Sequence, residues 1–225
     1  IFEVDATKFN VHIVARKNRA YVIGKAVLYL VIDRSTHLIV GVHLSLEEAR
    51  WAEACLAILS IAWDWEAVCK KFGIPYDPRE WPAREQLPFS GFFADRGEAF
   101  TTDSQVLCDG LEVMVTNAPR QMSSHKGIVE SGFHTVDVPI AQFVPGYEPP
   151  KNIHARQAKH YEDDAALTLQ QLFGVILRRV RLHNITPLCG RKRSEDEVWG
   201  DIEWSPVELW HHGKQTRMGI GARMP

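Results

Sequence analysis

Within its first 45 residues the chain packs four short runs dominated by Val, Ile, Tyr and Leu: Glu3–Thr7, Val11–Ala15, Val27–Asp33 and Leu38–Leu44. Side chains of these types suit a pleated, half-buried surface. A polar turn signal at Lys17-Asn18-Arg19 separates the first pair of runs from the second. An antiparallel meander is the simplest way to join them, and it commits the chain to a sheet that other elements must cover.

The covering elements announce themselves by a change of period at Ser45. Ser45-Leu46-Glu47-Glu48 has the form of a capping box, so one long helix is expected to follow. Ala52, Cys55, Leu56, Leu59, Ala62, Trp63 and Val68 recur at three- and four-residue steps until Gly73 and Pro75 end the pattern. Four prolines between 74 and 91 make that stretch a connector. A buried-type strand is expected at Phe92–Asp95, a short helix from Thr102 to Leu111, and another strand at Glu112–Thr116. A helix then begins near Ser124 with Val129, Phe133 and Val136 on its apolar face, and Pro145 to Pro150 form a linker. Asp163 and Asp164 are read as caps of a helix over Ala165–His183, whose apolar set is Leu169, Leu172, Phe173, Ile176, Leu177 and Val180. The expected fold class is α/β, a mixed five-stranded sheet flanked by helices. The core would span 1–185, and 186–225 would be an irregular extension or linker toward a downstream domain.

Apolar residues at 45% and charged residues at 24% fit a folded globular chain rather than a disordered one. No run approaches the roughly 18 apolar residues of a membrane span, and no basic segment precedes an apolar one at the N-terminus. A cytoplasmic protein without membrane partners is therefore expected. The start at Ile1-Phe2-Glu3-Val4, inside a strand and without Met, reads as a piece of something longer. Cys55, Cys69, Cys108 and Cys189 show no C-x-x-C pair, which argues against a zinc site or a disulfide framework. The net charge of −2 conceals a basic block: residues 151–193 carry nine basic and three acidic groups. Such a block is either a phosphate-facing surface or a solvated helix face.

Three acidic residues stand in distinctive contexts: Asp5 in Phe2-Glu3-Val4-Asp5-Ala6-Thr7, Asp95 closing Phe92-Phe93-Ala94-Asp95, and Glu130 in Lys126-Gly127-Ile128-Val129-Glu130-Ser131. If the strands bearing Asp5 and Asp95 pair, their carboxylates stand ~4.8 Å apart, and a helix returning over the sheet can add Glu130. Like charges brought together raise one another's pKa unless cations compensate. Two magnesium ions about 4 Å apart supply that compensation and suit in-line phosphoryl transfer. Spacing alone is a weak signal, because 28 acidic residues furnish many triplets. Asp33 also ends an apolar strand, but before Arg34-Ser35-Thr36 it reads as turn chemistry.

These contexts resemble the TnsB-type DDE transposases of the retroviral integrase superfamily. The resemblance runs through Phe2–Thr7, Tyr29-Leu30-Val31-Ile32-Asp33 with Leu38-Ile39-Val40-Gly41, Ala94-Asp95-Arg96-Gly97-Glu98, Lys126–Ser131 and Pro206-Val207-Glu208-Leu209-Trp210. It implies a ribonuclease H-like catalytic core in which Asp5, Asp95 and Glu130 are the catalytic metal ligands, with Glu130 35 positions after Asp95. It further implies two Mg2+ ions with DNA bound, with Mn2+ as a substitute, 3′-end cleavage of transposon ends, and transfer of the 3′-hydroxyls into target DNA. The implied partners are transposon-end and target DNA, an oligomer assembled on that DNA, an ATP-dependent target-selection protein and a separate endonuclease. The implied setting is the bacterial cytoplasm, at the nucleoid when active. The family's end-binding DNA domains are expected to fall outside this sequence.

Arg96, Arg120 and Lys126 adjoin the triad and are candidate phosphate contacts, as are Arg178 and Arg181 within a cluster that includes Arg179, Arg191, Lys192 and Arg193. The loop Ala118–Ser124 is read either as an active-site loop that orders on DNA or as a surface connector. The tryptophans are read as packing residues, Trp63 above all. Two rival functions remain open: a hydrolytic nuclease on the same fold, and a noncatalytic nucleoprotein assembly module.

Overall fold

The computed structural model describes residues 2–81, 92–94, 115–117, 132–136, 143–149, 160–188 and 203–217, with 92–94, 115–117 and 214–217 described as backbone. Its centre is a sheet ordered β3-β2-β1-β4-β5. β1 (Phe2–Val14), β2 (Val22–Asp33) and β3 (Ile39–Ser45) form the antiparallel meander, and β4 (Phe92–Ala94) and β5 (Val115–Asn117) continue it in parallel beyond β1. The two runs expected before residue 16 are one continuous strand. Their polar interruption is absorbed as a register shift between Lys8 and His12, where β1 bulges without leaving the ladder.

Side-chain alternation divides the apolar residues between two cores. Phe2, Val4, Tyr29, Val31 and Val40 face one side, while Phe9, Val11, Ile13, Leu28, Leu30 and Ile32 face the other. Both sides are covered, so β2 reads as an almost unbroken apolar run from Ala26 to Ile32.

α1 (Trp51–Ser60) covers the first face and α2 (Trp65–Phe72) the second. The expected single helix is thus two. The break falls at 61–64, where Asp64 takes an extended conformation and its side chain accepts the Ala67 N–H, starting a new helix. The capping box at Ser45 also fails. Ser45 still belongs to β3, its hydroxyl accepts the Glu47 N–H, and α1 begins only at Trp51. The buried face of α1 is Trp51, Ala54, Ala57 and Ile58, while the expected Leu56 and Leu59 are exposed. Small residues face the sheet because the approach is close. A Cβ on Gly41 would lie 2.6 Å from the Ala57 carbonyl oxygen.

α3 (Leu169–Ile185) lies on the same side as α2 and buries Leu172, Ile176, Leu177 and Val180. Thr168, not Asp163 or Asp164, caps it: the Thr168 hydroxyl accepts the Gln171 backbone N–H, and the Gln171 side-chain Oε1 accepts the Thr168 N–H. The two aspartates sit one turn earlier, in the 3-10 turn Tyr161–Asp164. The stretch read as an irregular extension contains α4 (Pro206–Arg217), whose Val207 and Trp210 complete the first core. Trp210 lies 6.2 Å from Phe2, ring centre to ring centre, and Glu208 receives two hydrogen bonds from Arg79. Trp63, Trp65 and Trp81 pack as expected: Trp65 stacks on Trp81 at 4.6 Å, and Trp63 leans against Trp65 and Phe173. The helix expected over Thr102–Leu111 and the loop Ala118–Ser124 lie outside the described residues.

Candidate active site

Asp5 lies on β1, the strand flanked by β2 on one side and β4 on the other. It is partly exposed, and its Oδ1 accepts the Ala6 N–H at 2.8 Å, which fixes the carboxylate relative to the strand. Phe2 and Val4 enter the core beneath α1 and α4, so alternation turns Glu3 and Asp5 to the opposite face. The register agrees. Asp5 stands opposite Leu30 and Glu3 opposite Ile32, and directly paired residues share a face.

The helical stretch 132–136 descends on that same face. Phe133 and Val136 are buried in the core with Leu30 and Ile32, as their spacing predicts. A Cβ built on Gly132 would lie 2.3 Å from Ile32 Cδ1 and 4.0 Å from Leu30 Cδ1. Glycine therefore lets the N-terminal end of this stretch settle directly over the two residues that pair with Glu3 and Asp5. Glu130 precedes Gly132 by two positions in sequence.

Asp95 and Glu130 lie outside the described residues, and so do Arg96, Arg120 and Lys126. Among the described residues, no three His, Cys, Asp or Glu side chains gather as a metal-binding group. Asp33 is the turn residue expected. It is buried, and its Oδ2 accepts both the N–H and the hydroxyl of Thr36, closing the connection from β2 to β3.

The two described basic candidates differ. Arg181 is held by Glu80 through a two-point ion pair inside the α2–α3 side of the molecule. Arg178 is exposed and, among the described residues, donates to the Phe72 and Gly174 carbonyls and meets no carboxylate.

Other charged groups serve the frame. Burial tends to raise the Glu53 pKa, but hydrogen bonds from Ser45, His43 and Arg50 outweigh it and hold the carboxyl at about 2. Glu148 is likewise held at about 2 by hydrogen bonds from Lys25 and His12, which tie 143–149 to β1 and β2. Burial lowers the His183 pKa, so its ring is neutral; Nε2–H donates to the His37 carbonyl at 2.9 Å.

The profile of the TnsB C-terminal domain matches residues 3–146. The chain is 30% identical over 218 residues to the transposon Tn7 transposition protein TnsB of Escherichia coli, an alignment covering 97% of this chain and 31% of that protein. The chain thus spans about a third of the length of that curated relative. In three dimensions it is similar to a chain of the simian T-cell lymphotropic virus intasome in complex with PP2A regulatory subunit B56 gamma. That match has a TM-score of 0.52 at 12% identity and covers 100% of this chain and 55% of that one. It is also similar to the catalytic core domain of BIV integrase, with a TM-score of 0.48 at 12% identity over 96% of this chain and 97% of that one. At such identity the intasome match is one of fold, a mixed α/β sheet of the ribonuclease H-like kind. With the profile spanning residues 3–146, well over half of the chain, this chain belongs to the TnsB C-terminal domain family.

Proposed function

We propose that this chain is the catalytic core of a DDE-type DNA transposase, a polynucleotidyl transferase that cleaves the 3′ ends of transposon DNA and transfers the 3′-hydroxyls into target DNA. The observation that carries the reading is the position of Asp5: on a strand internal to the sheet, on the face where the 132–136 helix meets Leu30 and Ile32. The register adds to it. β1 and β4 pair as Phe2 with Phe92 and Glu3 with Phe93, an offset of 90 residues that is also the offset between Asp5 and Asp95.

Asp5, Asp95 and Glu130 are the residues that would hold two Mg2+ ions, with Mn2+ as a substitute. Asp5 fits such a group: it is an acceptor-only hard oxygen donor, partly exposed, and oriented by the Ala6 amide. When bound, the ions supply charge neutralisation at the attacking and leaving oxygens of an in-line displacement. The protein's part is placement. β1 fixes Asp5 within the sheet, and Phe133 and Val136 anchor the 132–136 stretch, which begins two positions after Glu130 in the sequence; a site built on such elements needs little reorganisation when DNA arrives.

The proposed partners are transposon-end DNA, target DNA, further copies assembled on paired ends, an ATP-dependent target-selection protein and a separate endonuclease. The proposed setting is the bacterial cytoplasm. The similarity to a transposon Tn7 transposition protein over 97% of the chain supports the part of this reading that concerns transposition and its DNA.

The test uses labelled, pre-cleaved transposon ends and target DNA. Joined products are expected with the parent protein and lost with Asp95→Asn or Glu130→Gln. Nicks without joining would favour the hydrolytic nuclease. Full joining by either variant would remove the triad from the mechanism.

A further inference from the structure

A cavity of about 520 Å³ opens where the β1–β2 turn, the end of α2 and the start of α3 meet. Four cations line it, namely Arg16, Arg19, Lys71 and Arg178, together with the polar groups of Thr168 and Gln171. Among the described residues no carboxylate lines it, and all four cationic residues are exposed.

The absence of acidic partners sets this group apart from other cations of the fold. Arg50, Arg79, Arg181 and Lys25 each lie against a glutamate. Arg19 instead donates to the Ala166 carbonyl and the Gln171 side chain, and Arg178 to the Phe72 and Gly174 carbonyls. Those acceptors fix the two guanidiniums without neutralising them. A guanidinium has five N–H donors, so each keeps three after these contacts. Among the described residues, Arg16 and Lys71 have no ion-pair partner. Four like charges gathered from three elements repel one another, and an anion that bridges them relieves the repulsion.

We infer that this cavity is a binding site for the phosphate backbone of DNA, separate from the carboxylate site. From Asp5 to Val14 is nine steps along β1, about 30 Å of extended chain. The cavity lies past the far end of that strand, so it cannot share the phosphate at a reacting centre beside Asp5. It would instead grip the duplex at a phosphate remote from that centre, where contacts set position and affinity rather than sequence. The choice of DNA as the polyanion rests on the function proposed above; the separate location and the four uncompensated charges do not.

The test is binding of a fluorescein-labelled 30-base-pair duplex by the 225-residue chain, measured by anisotropy over a series of salt concentrations without divalent metal. Arg16→Gln with Lys71→Gln removes two cations that make no hydrogen bond, and circular dichroism checks that the fold is kept. The expected result is affinity weakened about tenfold at moderate salt and a log–log salt slope shallower by about two. The matching Arg16→Lys variant, paired with native Lys71, is expected to keep the slope, and Asp5→Asn is expected to keep or raise affinity. Unchanged affinity and slope in the double Gln variant would overturn the site while leaving the catalytic proposal intact. Competition by tripolyphosphate for Arg16 and Lys71, with no duplex binding at any salt, would overturn DNA as the ligand.

Discussion

Asn184 closes the outer edge of the sheet at Ile39: its side-chain nitrogen donates to the Ile39 carbonyl at 2.9 Å, and its side-chain oxygen accepts the Ile39 N–H at 3.0 Å. β3 is an outermost strand, and both residues are buried, so without this amide the Ile39 peptide would lose two partners away from water. One side chain of α3 thus does what a sixth strand would do at this point.

Replacing Asn184 by Ala or Leu is expected to lower stability by about 2–4 kcal/mol, because a buried donor and a buried acceptor are left unmet. Urea unfolding followed by circular dichroism measures this. A loss below half a kilocalorie would show that water or a rearranged strand replaces the amide.

The carboxyl of Glu53 predicts part of the acid response. Its folded pKa of about 2 lies below the ordinary 4.5. The unfolded chain therefore binds the proton first, and the stabilisation is complete above about pH 4.5 and lost as pH falls toward 2. Glu53→Gln is expected to flatten the fall in stability between about pH 5 and pH 3 while lowering stability at neutral pH. An acid limb parallel to that of the parent would mean that the Ser45, His43 and Arg50 contacts do not hold the charge in solution.

Gly132 links packing to the proposed chemistry. A methyl at this position meets Ile32 Cδ1 at 2.3 Å, so Gly132→Ala is expected to cost about 1–3 kcal/mol and to reduce DNA joining further by lifting the start of the 132–136 stretch, two positions after Glu130 in the sequence. Ile32→Val removes the clashing carbon, and the next contact is 3.8 Å away. The double variant should therefore recover both stability and joining, a coupling readable from a double-mutant cycle. Additive losses would show that the helix does not rest on Ile32.

Asp5→Asn is expected to leave the melting temperature within a few degrees of the parent and to reduce joining by at least ~100-fold, since an amide would replace a carboxylate proposed to hold the metal. A large fall in melting temperature with joining retained would make Asp5 a structural residue.

Much of this protein is decided by local sequence. β-branched and aromatic runs produce β1 to β3, the Asp33–Thr36 turn follows from side-chain chemistry within four residues, and the spacing of Leu172, Ile176, Leu177 and Val180 already marks the buried face of α3. Only the tertiary structure decides where periodic signals stop. Local pattern runs straight through 61–64, yet the chain breaks there to send α1 to one face of the sheet and α2 to the other. It also makes a helix of a segment without clear period, because Val207 and Trp210 find Phe2 and its neighbours to pack against. Charge follows the same division. Arg178 and Arg181 look alike three residues apart, but Glu80 arrives from a distant stretch to neutralise one, while Arg16, Arg19 and Lys71 converge on the other. Hydrogen-bonding and turn preferences act over a few neighbouring residues and so are written in sequence, whereas the meeting of charges and faces depends on contacts between elements far apart in the chain.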